Sequence, residues 1–439
     1  MAKAKSKKKK KKQTRELMIL VILILISAGL IVAMFTLYAQ RKKQAEQSAE
    51  VTIPQRPEET GMNPVVIPDA QTAPEPETEP VTEAPDPDQL RAEEFMQNMT
   101  LEDKIYQMFI VTPEVLVDHA VTAVVQTGNM TKAAMDEAPV GGIVYFSQNL
   151  EDEDQAKEMI SGAQDYMQQV HQIGLWIAVD EEGGTVSRVS DSLDTRYFDD
   201  MAVYGEEGDA DAVRTVGTQI AEDISQFGFN LDFAPVADVN INPDNELQDR
   251  IFSDDPAVVS DMVTAMVQGL QSSGQVGATL KHFPGLGAED GNTHEDDATL
   301  IDRTYEELDT VEFVPFRSGI AAGAEFVMVG HQIMSCAGDD MPSDLSRVVV
   351  TDWLRNGLGY TGIVITDAHN MNTITENYSS GEAALLAIQA GVDIVLMPED
   401  LTEAVETVAA AVESGELSEE QINQSVRRIL TAKAKHHLL

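Results

Sequence analysis

The sequence predicts a single (β/α)8 barrel of the TIM type, preceded by a membrane-spanning helix and an unstructured linker. Three observations lead there. Eight short apolar runs rich in β-branched residues are strung between Tyr106 and Met397. Stretches of helical period separate them, and polar residues gather where the runs end. Continuous apolar runs suit a parallel sheet covered on both faces, and strict alternation with helices is the signature of βα units.

The elements before the barrel come first in the chain. Residues 1–16 form a lysine-rich tail. Leu17 to Ala39 is 23 residues without a charge. A helix rising about 1.5 Å per residue over that length crosses a hydrocarbon core of about 30 Å. A cleaved signal peptide has a shorter apolar stretch, so an uncleaved anchor is expected, although Leu37-Tyr38-Ala39 offers a weak cleavage site. No cysteine follows that a lipid could modify. Nine basic residues precede the span and three follow it, which puts the N-terminus in the cytoplasm and the body outside the cell membrane. Residues 40–90 then read as a linker. Nine of the 18 prolines lie between Pro54 and Pro87, among Glu, Thr and Asp. Such a segment buries too little apolar surface to offset the entropy of ordering it, and favours extended polyproline II. An extracytoplasmic body on such a tether suggests reach into a wall layer.

Residues 91–439 form the predicted barrel. Its strands read as Tyr106–Thr112, Gly142–Phe146, Leu175–Asp180, Leu231–Pro235, Ala278–Phe283, Phe326–Gly330, Ile363–Asp367 and Asp393–Met397. Gln155–Val170, Ala212–Phe227 and Ala257–Ser273 are the clearest helices, and Leu401–Leu438 reads as helical. A doubly wound open sheet is the competing arrangement. The chain carries a formal charge of −44 although its first residues are strongly basic. An acidic body of this kind argues against nucleic acid or anionic lipid as a partner. The one cysteine, Cys336, cannot form an internal disulfide. Nothing fixes the oligomeric state, and a monomer is expected.

Barrel enzymes place their chemistry where strands end and βα loops begin. Here the third run ends in Asp180, followed by Glu181-Glu182-Gly183-Gly184. The fifth ends in Lys281-His282-Phe283-Pro284-Gly285, the sixth in His331 and the seventh in Asp367. A lone strand-end Asp is commonly a helix cap, and a lone His is commonly structural. Four such ends on one rim point instead to a catalytic or ligand site. Metal-ligand spacings are absent, Gly285-Leu286-Gly287 is too short for a dinucleotide fingerprint, and no Gly-x-Ser-x-Gly elbow occurs. No cofactor is expected.

Lys281-His282-Phe283-Pro284-Gly285-Leu286-Gly287, followed by Asn292-Thr293-His294, resembles the signature of family 3 glycoside hydrolases of the bacterial β-N-acetylglucosaminidase type. Val179 to Gly184 with Arg188, Phe233 to Asp238, Arg250-Ile251-Phe252, and Ile365-Thr366-Asp367 with Met371 also resemble that family, in family order. The resemblance implies a barrel, a retaining mechanism and removal of terminal β-linked N-acetylglucosamine, often from cell-wall fragments. It implies Asp367 as nucleophile and His294 as general acid/base. It further implies sugar contacts from Asp180, Arg188, Arg250, Lys281 and His282. Residues Ala288 to Asp297 read as a loop able to carry His294 over the site.

Two positions depart from the family pattern. Asn292 stands where an aspartate usually precedes the histidine, and Leu286 stands where histidine is common. Asparagine can orient the ring but supplies no charge, unless Asp290 or Glu295 substitutes. The sandwich domain that some members carry is not expected after the eighth run, so the acid/base should come from the barrel's own loops. Two other readings stay open: a hydrolase of another β-glycoside such as a glucoside, and a non-catalytic glycan-binding protein. Phosphate as acceptor in place of water is also open.

Overall fold

The computed structural model describes residues 86–289 and 299–439. The expected tail, anchor and most of the linker, as well as His294 and Asn292, lie outside the described residues. Among the described residues, no helix is long and apolar enough to cross a membrane.

Eight parallel strands close into a barrel: β1 (Phe109–Val111), β2 (Gly142–Val144), β3 (Trp176–Val179), β4 (Leu231–Asp232), β5 (Gly277–Phe283), β6 (Phe326–Val329), β7 (Ile363–Ala368) and β8 (Ile394–Leu396). Each pairs with its sequence neighbours, and β1 closes on β8 with Phe109 opposite Val395 and Ile110 opposite Leu396. That last pairing removes both edges and excludes the open sheet. The eight strands fall within the eight predicted runs, apart from one extra residue at the start of β5 and one at the end of β7. Most of their residues are fully buried, between the barrel interior and the surrounding helices. Phe283 stacks on Phe313 and meets Phe316 edge-on, which locks the fifth strand to the helix Phe313–Ala321 outside it.

Helix starts follow local chemistry. Asp152 caps Glu153–Val170 by accepting from the Gln155 amide, Asp209 caps Ala210–Ser225, and Asp255 caps Pro256–Leu270 with proline in the first turn. Two expectations are corrected. The first run was expected to be extended from Tyr106, but Thr100 and Asp103 form a capping box that starts the helix Leu101–Tyr106 and delays β1 to Phe109. The last helical stretch is two helices, Leu401–Ser414 and Glu419–Lys435, because Gly415 takes a left-handed φ of 80° and ends the first. The helix Pro87–Met96 begins inside the stretch read as linker and packs on Glu419–Lys435.

At the N-terminal end of the barrel, Lys433 is fully buried. Its Nζ donates to the Gln107 side-chain oxygen at 2.7 Å and to the Gly174 carbonyl at 2.8 Å. The opposite end, where the strands finish, is open.

Candidate active site

The C-terminal end of the barrel holds a cavity of about 260 Å³. Its lining includes Asp180, Arg188, Arg250, Lys281, His282 and Asp367, so all six described residues of the predicted site meet there. His331 does not line it. That strand-end histidine, expected at the rim, has a fully buried side chain, because the turn Ser343–Leu345 folds over it.

The local chain explains each position. Asp180 follows β3 directly. Glu181–Gly183 then pairs antiparallel with Val186–Ser187, a hairpin that brings Arg188 back to the site. Glu181 pins its exit: one carboxylate oxygen accepts from the Val189 amide at 2.6 Å, the other from Ser190 at 3.1 Å. Burial pushes that carboxyl up to about 7 despite these bonds. Arg250 ends the turn Gln248–Arg250 in the loop after β4. Lys281 and His282, joined by a cis peptide, lie near the end of β5.

Charges in the cavity are organised by Glu182, which is 2% exposed. It accepts two parallel bonds from Arg250, and Lys281 lies 2.7 Å away. Lys281 also binds Asp180 at 2.8 Å. Burial alone would raise the Glu182 carboxyl, but Arg250 and Lys281 outweigh it and hold it well below the usual range. Burial would lower the Lys281 amine, but Asp180 and Glu182 outweigh it and keep the group charged. Arg188 has no hydrogen-bond partner on its buried Nε among the described residues.

His282 is oriented from below by Asp238. That carboxylate accepts from the His282 amide at 3.0 Å, lies 2.8 Å from Nδ1, and accepts from the Leu286 amide at 2.6 Å. A carboxylate facing Nδ1 calls for a proton there, which leaves Nε2 to face a ligand. Leu286 itself packs with Val236, Leu247 and Ile251 and forms part of the cavity wall. Gly287 is required by close approach, since a Cβ there would lie 1.9 Å from the Val239 carbonyl oxygen.

Asp367 is half-buried near the end of β7, and one of its oxygens accepts from the Ala368 amide at 2.7 Å. Burial would raise its carboxyl, but His331, then His282, outweigh it, so the group stays below its usual value and ionised. An ionised carboxylate in a pocket of cations and hydrogen-bond donors can attack an electrophilic carbon or stabilise a cation there. Phe146, Phe233, Met328 and Met371 supply apolar walls.

Sequence reasoning missed Glu182 and Asp238 as organisers, although both stand inside the quoted motifs. It also missed Asp344, 3.1 Å from His331 Nδ1, and His369, 2.8 Å from Asp344, neither of which carries a motif.

Comparison with known proteins follows the geometry. Residues 100–432 match the family described as "Glycosyl hydrolase family 3 N terminal domain". The chain is 31% identical over 325 residues to a beta-hexosaminidase A of Pseudoalteromonas piscicida, covering 67% of this chain and 53% of that protein. It is thus similar to about half the length of that relative. It is 34% identical over 268 residues to a beta-hexosaminidase of Nitrosomonas eutropha, covering 60% of this chain and 74% of the relative. Among solved structures, a family 3 beta-N-acetylglucosaminidase from Paenibacillus sp. superposes with a TM-score of 0.72 at 32% identity, covering 77% of this chain and 63% of that one. With the barrel, the site and a family match that spans most of its length, the chain belongs to glycosyl hydrolase family 3.

Proposed function

We propose that this protein is a retaining glycoside hydrolase that removes terminal β-linked N-acetylglucosamine from peptidoglycan-derived or other amino-sugar glycans. The observation that carries the reading is Asp367, an ionised carboxylate presented to the cavity that Asp180, Arg188, Arg250, Lys281 and His282 also line. Asp367 attacks the anomeric carbon, forming an ester bond as the bond to the leaving oxygen breaks, and that oxygen takes a proton from His294. Water then attacks the same carbon, returns a proton to His294 and releases Asp367 as a carboxylate. A histidine suits the acid/base role because its free value of about 6.5 permits both protonation states. The paired cations and carboxylates of the cavity match the alternating donors and acceptors of sugar hydroxyls. The names of the relatives support the amino sugar over glucose.

The same proposal places the body outside the cell membrane on a single N-terminal span. It rests on the 23 uncharged residues from Leu17 to Ala39 and the basic tail before them.

The test is a panel of chromogenic glycosides offered to the full-length chain, with and without phosphate. Hydrolysis of the N-acetylglucosaminide is expected. Turnover of the glucoside alone sinks the substrate assignment, turnover that needs phosphate makes the enzyme a phosphorylase, and binding without turnover makes it a glycan-binding protein.

A further inference from the structure

Behind Asp367 lies a buried group of side chains that the reaction above does not use. His331 follows β6, Asp344 sits in the turn Ser343–Leu345, and His369 follows β7. All three side chains are essentially without exposure. The turn is pinned to the end of the sixth strand, with the Asp344 amide donating to the Gly330 carbonyl at 3.1 Å and Ser343 donating to Gln332. His331 Nε2 lies 3.0 Å from the Ala368 carbonyl oxygen, and Nδ1 lies 3.1 Å from Asp344 Oδ1. The other oxygen of Asp344 is 2.8 Å from His369 Nε2.

This arrangement favours a proton on each nitrogen of the His331 ring. The Ala368 carbonyl can only accept, so Nε2 of His331 must carry a hydrogen. Asp344 Oδ1, 3.1 Å from Nδ1, forms an ion pair with the ring rather than an aligned hydrogen bond, and its charge favours a proton on that nitrogen as well. A ring with both hydrogens is an imidazolium. Its charge is matched by Asp344, whose other oxygen is met by His369 Nε2. The strand end is thereby tied at Ala368, whose carbonyl is bound by His331 and whose amide donates to Asp367 itself.

We infer that His331 is a positioning residue for Asp367: as an imidazolium held between Asp344 and the Ala368 carbonyl, it fixes the strand end that carries the carboxylate and sets a positive charge behind it. The charge keeps Asp367 ionised despite its surroundings. It also favours the second half of the reaction, because release of the sugar from the ester restores a carboxylate beside the imidazolium. Electrostatics agree with the geometry. Burial would lower the His331 ring, but Asp344 outweighs it and raises it to about 9. Burial would likewise raise Asp344, but His331, with His369, brings it down to about 2. Among the described residues, the Tyr378 hydroxyl lies near Asp344, and Lys281 and His282 act on Asp367.

The inference rests on Asp367 being the nucleophile, and its test separates the two claims. In the full-length chain the acidic limb of kcat/KM reports ionisation of Asp367. His331→Gln keeps a donor for the Ala368 carbonyl but removes the charge, so that limb should move up by about one pH unit or more. Asp344→Asn should move it the same way, because a buried ring without its anion sheds a proton. His369→Gln, which keeps a donor to Asp344, should leave the limb in place. An unmoved limb in a folded, active His331→Gln variant overturns the inference, provided Asp367→Asn is inactive in the same assay. Activity in Asp367→Asn overturns the nucleophile assignment instead. Should the buried variants fail to fold, ring-nitrogen NMR of the wild-type protein decides. Both nitrogens of His331 should be protonated at pH 7, and a singly protonated ring there overturns the inference.

Discussion

Arg250 holds Glu182 through two parallel hydrogen bonds, Nε at 2.8 Å and Nη2 at 2.7 Å, on a carboxylate that is 2% exposed. Bidentate pairing of this kind fixes direction as well as distance. Because Lys281 shares the same carboxylate at 2.7 Å, one side chain spaces two cations across the cavity. Glu182→Ala should therefore do two kinds of damage. It leaves buried cations with less compensation, which costs about 3–5 kcal/mol of stability when a buried pair is broken. It also lets Arg250 and Lys281 drift, raising KM more than it lowers kcat. Glu182→Gln keeps the shape and should lie between the two. Denaturant melts and Michaelis curves check this, and an alanine variant with wild-type stability and KM refutes it.

Asp367→Ala and Asp367→Asn should each lower turnover by more than about 10³-fold, since they remove a covalent route rather than one contact. The half-buried carboxylate faces the cavity, so the fold should survive, as circular dichroism would show. A variant that keeps a tenth of the activity places the nucleophile elsewhere.

Why these residues could be found in the sequence, and others could not, has a physical basis. A barrel strand buried on both faces must be a continuous apolar run, so β2 and β7 stand out from their flanks. Asp180, Lys281, His282 and Asp367 are legible because a polar residue closing such a run commonly faces the barrel mouth. Arg188 and Arg250 lie in loops and were reached only through the family resemblance. Asp344 gave no signal: in Pro342-Ser343-Asp344-Leu345 it reads as an ordinary turn residue. Its partnership with His331 exists only once the turn folds over β6. His331 shows the reverse case, a strand-end residue that reads as rim and is buried. The start of β1 was misplaced because local capping at Thr100 outweighed the apolar character of Tyr106.

Lys433 gives a prediction about pH. Two acceptors, Gln107 and Gly174, meet its Nζ, and among the described residues no carboxylate pairs with it. A neutral amine has two hydrogens, which match those acceptors. Burial holds the group well below its ordinary 10.5. In the unfolded chain the lysine therefore binds its proton more tightly than in the fold, so stability should rise with pH from the depressed value up to about 10.5. Lys433→Met removes that dependence but leaves two buried acceptors unmet, at about 1–3 kcal/mol each. Wild type should exceed the variant most at alkaline pH, with the gap narrowing as pH falls. A gap that is constant with pH means the lysine stays charged in the fold.

The sharpest prediction concerns Asn292, two residues before His294. Members of the family commonly carry an aspartate there. An aspartate orients the ring and stabilises its protonated form, whereas asparagine supplies only orientation. If Asn292 is its only orienting partner, the His294 ring would lack a compensating anion and shed its proton at lower pH. The alkaline limb of activity, which reports the protonated acid, should accordingly fall at lower pH than with an aspartate. Asn292→Asp should move that limb upward and leave the acidic limb, set by Asp367, where it was. Turnover of glycosides with poor leaving groups should rise, because their oxygen needs the proton as the bond breaks. Activated aryl glycosides need little protonation and should respond less. The measurement is a pair of pH profiles, one for each leaving group, on wild type and variant. If Asn292→Asp leaves both profiles unchanged or depresses them, a neighbouring carboxylate such as Asp290 or Glu295 already serves the ring, and Asn292 is not its partner.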